Sequence, residues 1–435
     1  MPRWSNMIED LVSRVAVIGG TLLVNNASDE QTLTQKCDAL LSNLGEATGL
    51  ARSKEILEAF KVLNKAQKLD FFQTICREFG VDDNALKQAL DAWQQKPNDE
   101  NTRNIHFASE PKSQELIRRL NLAPGGTAAL VAMREDLIKH MKTDTSLSSL
   151  DKDIRHLFSS WFNRGFLRLE RIDWSTSANI LEKVIAYEAV HEIQGWDDLR
   201  RRVAASDRRL YAFFHPSLID EPLIFVEVAL TTNMPDAIGT ILAEERQDLL
   251  PQDASTAVFY SISNCQAGLR GISFGNFLIK QVVEELKREL PNLKRFVTMS
   301  PVPGLRRWAQ AGSELAKQNQ ALITELDQQQ DLFHADFMAQ KQNELSQLAA
   351  CYLLEAKNKK ERPYDPVSQF HLGNGARLQQ INLWADRSER GQANSWGVMV
   401  NYEYDLDYIE KNHEAFLCDG VISASSKVKK LHKQH

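Results

Sequence analysis

Between residues 257 and 299 the chain reads strand, glycine-rich loop, amphipathic helix, strand, which commits this part of the molecule to a mixed helix-and-sheet architecture. The runs Ala-Val-Phe-Tyr-Ser-Ile-Ser (257–263) and Arg-Phe-Val-Thr-Met (295–299) are β-branched and aromatic, and of strand length. Between them, over 276–290, Leu278, Val282 and Leu286 recur every four residues, and Ile279, Val283 and Leu290 widen the stripe. Further strands are expected at 211–214, 223–230, 381–384 and 396–404, with helices over 313–360 and a polar, basic helix or frayed end after Ser423.

The first third has a different texture. Ile56, Phe60 and Leu63, and then Leu86, Leu90 and Trp93, fall at spacings of four and three. Residues 97–101 (Pro-Asn-Asp-Glu-Asn) read as a polar loop. A helix starts sharply after Pro124-Gly125-Gly126, with Thr127 expected as its N-cap. Leu150, Ile154, Leu157, Phe158 and Trp161 form one apolar face, and no strand signal precedes about residue 205. The expected fold class is therefore α+β. An all-α helical bundle over 1–164 precedes an α/β domain over 165–435.

Charge and composition narrow the function. With 435 residues, 43% hydrophobic and 25% charged, the chain has the balance of a folded protein with a sizeable core. Its 52 basic and 58 acidic residues leave a net charge of −6, which gives no reason to expect a nucleic-acid partner. The uncharged stretch 15–28 is broken by Gly19, Gly20, Asn25 and Asn26 and is too short to span a bilayer, so no membrane partner is expected. Glu9 and Asp10 sit where a leader peptide avoids acids. The five cysteines, at 37, 76, 265, 351 and 418, are scattered and show no Cys-x-x-Cys spacing, as in a reducing compartment.

Three local features could carry chemistry. The loop 264–275 holds Gly268, Gly271 and Gly275 and opens into a helix, whose first amides lack partners and carry partial positive charge. Read alone, it fits either a bound pyrophosphate, with Arg270 as counter-charge, or an unliganded strand-to-helix turn. Its spacing matches neither a Walker loop nor a dinucleotide fingerprint. Ser300 stands at a strand end, before the rigid turn Pro301-Val302-Pro303-Gly304. His371, between Phe370 and the turn formers Gly373-Asn374-Gly375, is a candidate proton shuttle or a structural histidine.

The segment from Arg270 to Gly275 is loosely similar to the coenzyme A loop, Gln-x-x-Gly-x-Gly/Ala, of the GNAT N-acetyltransferase fold. Taken in order, the strand, loop, helix, Ser-Pro-Val-Pro-Gly (300–304) and Phe-His-Leu-Gly-Asn-Gly-Ala (370–376) resemble the malonyl-CoA decarboxylase family. Stretches 120–130, 187–191, 222–230, 259–263, 277–280 and 401–404 extend the resemblance over most of the chain beyond about residue 115. It implies a GNAT-like catalytic domain that converts malonyl-CoA to acetyl-CoA and carbon dioxide without metal or biotin, coenzyme A being part of the substrate. Carried over by position, Ser300 and His371 are the catalytic pair. Arg270, Gly271, Ile272, Ser273, Phe274, Gly275 and Asn276 form the coenzyme A loop, and Tyr404 is a site neighbour. Ser273 stands where some relatives have an acid. A cytoplasmic homo-oligomer is expected, with the helical bundle as its assembly surface. Two other readings use the same fold class: an acyl-CoA N-acyltransferase, which needs an acceptor amine and no Ser300, and a non-catalytic acyl-CoA-binding protein.

Overall fold

Local helix signals in the first part of the chain are strong enough to set element ends. In the computed structural model, which describes residues 12–17, 31–42, 45–272 and 278–433, the helix Leu33–Leu41 begins with a capping box between Thr32 and Gln35. Lys65–Glu78 begins with the same device, made by Asn64 and Gln67. Helices Glu46–Lys61, Lys112–Asn121, Gly126–His140 and Ser148–Trp161 bury Ile56, Phe60, Leu116, Leu130, Leu137, Ile154 and Phe158. These helices belong to a first compact unit, formed by Met1–Arg168 with Phe214–Pro222 and Gln266–Phe274.

Three local expectations change here. The helix Gly126–His140 is capped by Gly125 in the left-handed region (φ 68°), and Thr127 instead donates from its hydroxyl to Asn121 Oδ1 at 2.8 Å. A Cβ on Gly126 would stand 2.5 Å from the Leu120 carbonyl, so close chain packing rather than a side-chain cap starts this helix. Residues 97–101 are not wholly loop: Asn98 caps a helix over Asp99–Ala108 by accepting from the Asn101 amide. That helix and its neighbour Asp83–Gln95 bury no residue, and Leu90 and Trp93, two of the residues at helical spacing, lie 40% and 39% exposed.

The second unit (Leu169–Phe213, Leu223–Cys265 and Gly275–His435) is built on an eight-stranded mixed sheet. Its strands are β1 (Arg168–Ile172), β2 (Arg208–Phe214), β3 (Pro222–Thr231), β4 (Thr256–Asn264), β5 (Arg295–Thr298), β6 (Ser300–Pro301), β7 (Arg377–Asn382) and β8 (Met399–Glu403). They lie in the order β1-β2-β3-β4-β5-β8-β6, with β7 also on β8. The sequence shows no strand before residue 205, yet β1 is one: as an edge strand it carries charges along Arg-Leu-Glu-Arg-Ile and lacks the apolar run of an interior strand. β2, β3 and β4 are almost wholly buried.

β4 pairs antiparallel with β3 and parallel with β5, and the connection between β4 and β5 contains the helix Leu278–Glu289, which buries the stripe Leu278, Val282 and Leu286. One core cluster gathers Ala229, Val258, Tyr260, Val297, Met299 and Met399 from the sheet with Ile238 and Ile241. The cysteines form no disulfide; Cys37, Cys265 and Cys351 are buried, and Cys418 is exposed. No helix among the described residues is long and apolar enough to cross a membrane.

A glycine contrast tests the packing. Gly375 has φ +80° and a Cβ there would stand 2.1 Å from the Ile409 carbonyl; Gly420 has φ +66° and open space around it. Gly420→Ala should cost about 1 kcal/mol, for the backbone conformation alone. Gly375→Ala should cost more than about 3 kcal/mol, since neither chain can yield cheaply. Urea denaturation of both variants measures the difference.

Candidate active site

The parallel ladder between β4 and β5 runs from Thr256↔Arg295 to Phe259↔Thr298 and ends with the Met299 amide donating to the Phe259 carbonyl at 2.9 Å. Beyond it β4 stays with β3 as far as Ile224↔Asn264, while Ser300 and Pro301 pair with Val400 and Met399 of β8. Pro301 has no amide hydrogen to donate to a ladder. Side chains fill the join between β5 and β6. The Tyr402 amide donates to Thr298 Oγ1 (3.0 Å), and Asn401 Nδ2 donates to the Thr298 carbonyl (2.7 Å).

A cavity of about 240 Å³ opens where the two strands no longer pair. Tyr260, Ser261, Ile262 and Asn264 line it from β4, with Met299, Ser300 and Pro301 across the gap, Val190 at the wall, and Pro366, Val367, Phe370 and His371 from one helix.

His371 lies in the last turn of that helix, Pro366–Gly373, rather than on the turn that its glycine-rich surroundings suggest. Asp365 is the helix N-cap, accepting from the Val367 and Ser368 amides at 2.9 Å each, and Pro366 occupies the first helical position. Tyr352 donates to the other Asp365 oxygen at 3.1 Å. A Cβ on Gly304 would meet that same tyrosine hydroxyl at 2.3 Å. The turn after Ser300 therefore packs against the residues that fix the His371 helix.

The two candidate catalytic side chains meet. Ser300 Oγ and His371 Nε2 are 3.0 Å apart, and Ser300 Oγ donates to Thr298 Oγ1 at 2.8 Å. On the far side of the ring, His371 Nδ1 is 2.7 Å from the Tyr404 hydroxyl. With the serine proton given to Thr298, the hydrogen bonds close without conflict when Tyr404 donates to Nδ1 and Nε2–H donates to Ser300. Tyr402 stacks on the imidazole (4.7 Å between centroids, 24° between planes), and its hydroxyl lies 2.6 Å from Ser368 Oγ. Tyr402 and Tyr404 reach the same ring because alternate residues of an extended chain share a face. The sequence reading named Tyr404 and missed Tyr402, which that period of two would have supplied. It also missed Thr298 and Asp365.

His371, Ser300 and Tyr404 are all buried. Burial pushes the imidazole pKa down to about 3, so the ring is neutral around pH 7, and raises the Tyr404 phenol well above its usual range. Of the loop residues, Arg270, Gly271 and Ile272 fall in the first unit, with the Arg270 side chain exposed and Ile272 buried. Ser273, Phe274, Gly275 and Asn276 lie outside the described residues, as does most of the stretch 15–28. Among the described residues no three His, Cys, Asp or Glu side chains gather as a metal site.

The buried neutral histidine sets a pH dependence of stability. Its folded pKa, about 3, lies below its ordinary value of 6.5, so between those limits the unfolded chain binds the extra proton. This contribution is intact above pH 6.5 and is lost as pH falls toward 3, at up to about 1.4 kcal/mol per pH unit. His371→Asn should flatten the dependence of unfolding free energy on pH in that window, relative to the parent chain, in denaturant titrations.

Comparison with known proteins extends over both parts of the chain. A family model described as malonyl-CoA decarboxylase C-terminal domain matches residues 165–435, and one described as malonyl-CoA decarboxylase N-terminal domain matches 79–162. The mitochondrial malonyl-CoA decarboxylase of Anser anser anser is 32% identical over 421 residues, covering 87% of this chain and 82% of the relative. That of Rattus norvegicus is 33% identical over 363 residues, covering 75% and 72%. The crystal structure of malonyl-CoA decarboxylase from Rhodopseudomonas palustris has a TM-score of 0.89 at 51% identity, covering 92% of this chain and 98% of that one. The corresponding structure from Agrobacterium vitis gives 0.86 at 50% identity, covering 92% and 99%. With both parts of its length matched, the chain belongs to the malonyl-CoA decarboxylase family.

Proposed function

We propose that this chain decarboxylates malonyl-CoA to acetyl-CoA, with Ser300 and His371 as the reacting pair. The observation that carries the reading is the 3.0 Å contact between Ser300 Oγ and His371 Nε2, with both buried residues lining one cavity. In the empty site, burial alone keeps the imidazole neutral. A malonyl carboxylate bound beside it supplies the opposite charge and favours the imidazolium, so the proton enters with the substrate. The bond from Cα to the carboxylate then breaks, carbon dioxide leaves, and its electron pair becomes the thioester enolate. The imidazolium gives its proton to Cα, which cancels both charges and returns neutral His371 with acetyl-CoA.

Ser300 orients this exchange. Its hydroxyl can turn from Thr298 to the substrate carboxylate or thioester oxygen, while Tyr404 holds the far nitrogen of the ring. In this reading Arg270 to Asn276 take the pyrophosphate of coenzyme A, with the glycines allowing close backbone approach. Residues 1–164 form a helical assembly domain and 165–435 the GNAT-like catalytic domain of a cytoplasmic homo-oligomer. Coenzyme A enters as part of the substrate, and the residues named need no metal or biotin for the steps above.

Purified protein supplied with malonyl-CoA alone should yield equal amounts of acetyl-CoA and carbon dioxide. A requirement for an acceptor amine would instead identify an acyltransferase. His371→Asn and Ser300→Ala should each lower turnover by roughly 10²–10⁴ while leaving coenzyme A affinity within about twofold, measured by steady-state kinetics and calorimetry. The double variant should fall short of the product of the two losses, as expected of residues acting as a unit. Parent-like turnover by His371→Asn would end the reading.

A further inference from the structure

The glycine-rich loop is held by arginines from the helical part of the chain. Arg134, in the helix Gly126–His140, is only 2% exposed, and its guanidinium uses all three of its nitrogens. Nε pairs with Asp151 at 2.9 Å, Nη1 donates to the Gly268 carbonyl at 2.6 Å, and Nη2 donates to the Arg270 carbonyl at 3.0 Å. Arg155, on the helix Ser148–Trp161, adds a longer bond to the Gly271 carbonyl at 3.4 Å. Contact is close enough that a Cβ on Gly268 would stand 1.9 Å from the Val131 carbonyl.

A planar trans peptide points its N–H opposite its C=O. Fixing the Arg270 carbonyl on Arg134 therefore turns the Gly271 N–H to the other side, and Gly271 sits at φ +77°, a conformation that a side chain would resist. Neighbouring amides are already spent inside the turn, Arg270 on Ala267 and Ile272 on Leu269. A buried guanidinium is costly unless all its partners are in place, so a site that spends one on loop carbonyls gains a fixed loop conformation.

We infer that Arg134, assisted by Arg155, is a positioning residue of the substrate site. It presets the Gly268–Gly271 carbonyls so that the Gly271 amide is presented to the substrate pyrophosphate. This rests on the loop's assignment to coenzyme A above. The helical region then contributes to substrate recognition as well as to assembly.

The test compares malonyl-CoA with malonyl-pantetheine, which carries the thioester but no phosphate. Arg134→Lys keeps the charge beside Asp151 yet cannot bridge two carbonyls, because an ammonium lacks the planar fork. The KM for malonyl-CoA should rise roughly tenfold, the worth of about one charge-assisted hydrogen bond, with kcat near the parent value. The KM for malonyl-pantetheine should not move, whereas a merely structural role would shift both substrates alike. Should Arg134→Lys fail to fold in thermal denaturation, the exposed Arg155→Ala should give the same substrate-selective change at roughly two- to fivefold, in keeping with its weaker bond. Equal effects on the two thioesters, or none in folded variants, would overturn the inference. If the parent chain itself fails to prefer malonyl-CoA over malonyl-pantetheine, the assignment of the loop to the pyrophosphate falls first.

Discussion

The hydrogen bond from the Met299 amide to the Phe259 carbonyl is the last that joins β4 to the strand beside it, and the cavity exists because the pairing stops there. Two parallel strands in contact leave no room between them. Here β4 is retained by β3, and the continuation of β5 is retained by β8. The join between β5 and β6 would leave backbone groups unsatisfied, and the side chains of Thr298 and Asn401 satisfy them. Asn401 is in turn bonded to Asn382 at 2.6 Å, so the break is part of a polar network in the sheet interior.

That network explains how a buried polar site is tolerated. Thr298, Ser300, His371, Tyr404, Tyr402 and Ser368 all lie at 5% exposure or less, yet each has a hydrogen-bond partner among the others. Unpaired, each would cost roughly 1–3 kcal/mol to bury. Burial keeps the His371 ring uncharged, and the bond to Tyr404 fixes its orientation. A solvated histidine would hold its proton according to the pH of the medium. This one is held neutral by burial down to about pH 3.

Deeper in the sheet lies a second buried polar group. Glu227, wholly buried on β3, is raised to about 7 by burial and by neighbouring Glu188, while Arg202 donates to it at 3.3 Å. Glu188 accepts from Ser261, and from the amides of Val190 and His191, which ties the wall of the cavity to β4. The exposed helix pair Asp83–Gln95 and Asp99–Ala108 is the opposite case, since its apolar stripe covers no core within the chain.

By itself the sequence determined the elements: the β-branched runs of β3, β4 and β5, and the four-residue stripe of Leu278, Val282 and Leu286. These are local preferences of backbone and side chain, so they survive in any context that permits them. Ser300 and His371 were legible as candidates, because their motifs resemble those of the malonyl-CoA decarboxylase family. What local preference could not decide was which residues meet. Leu90 and Trp93 have the spacing of an apolar helix face and lie exposed, and β1 has the composition of a loop and pairs at a sheet edge. The 71-residue gap between Ser300 and His371 closes in the tertiary structure, where Tyr352 bonds Asp365 and packs against Gly304. The neutrality of the imidazole likewise comes from burial, which is a property of everything packed around it and of no residue alone.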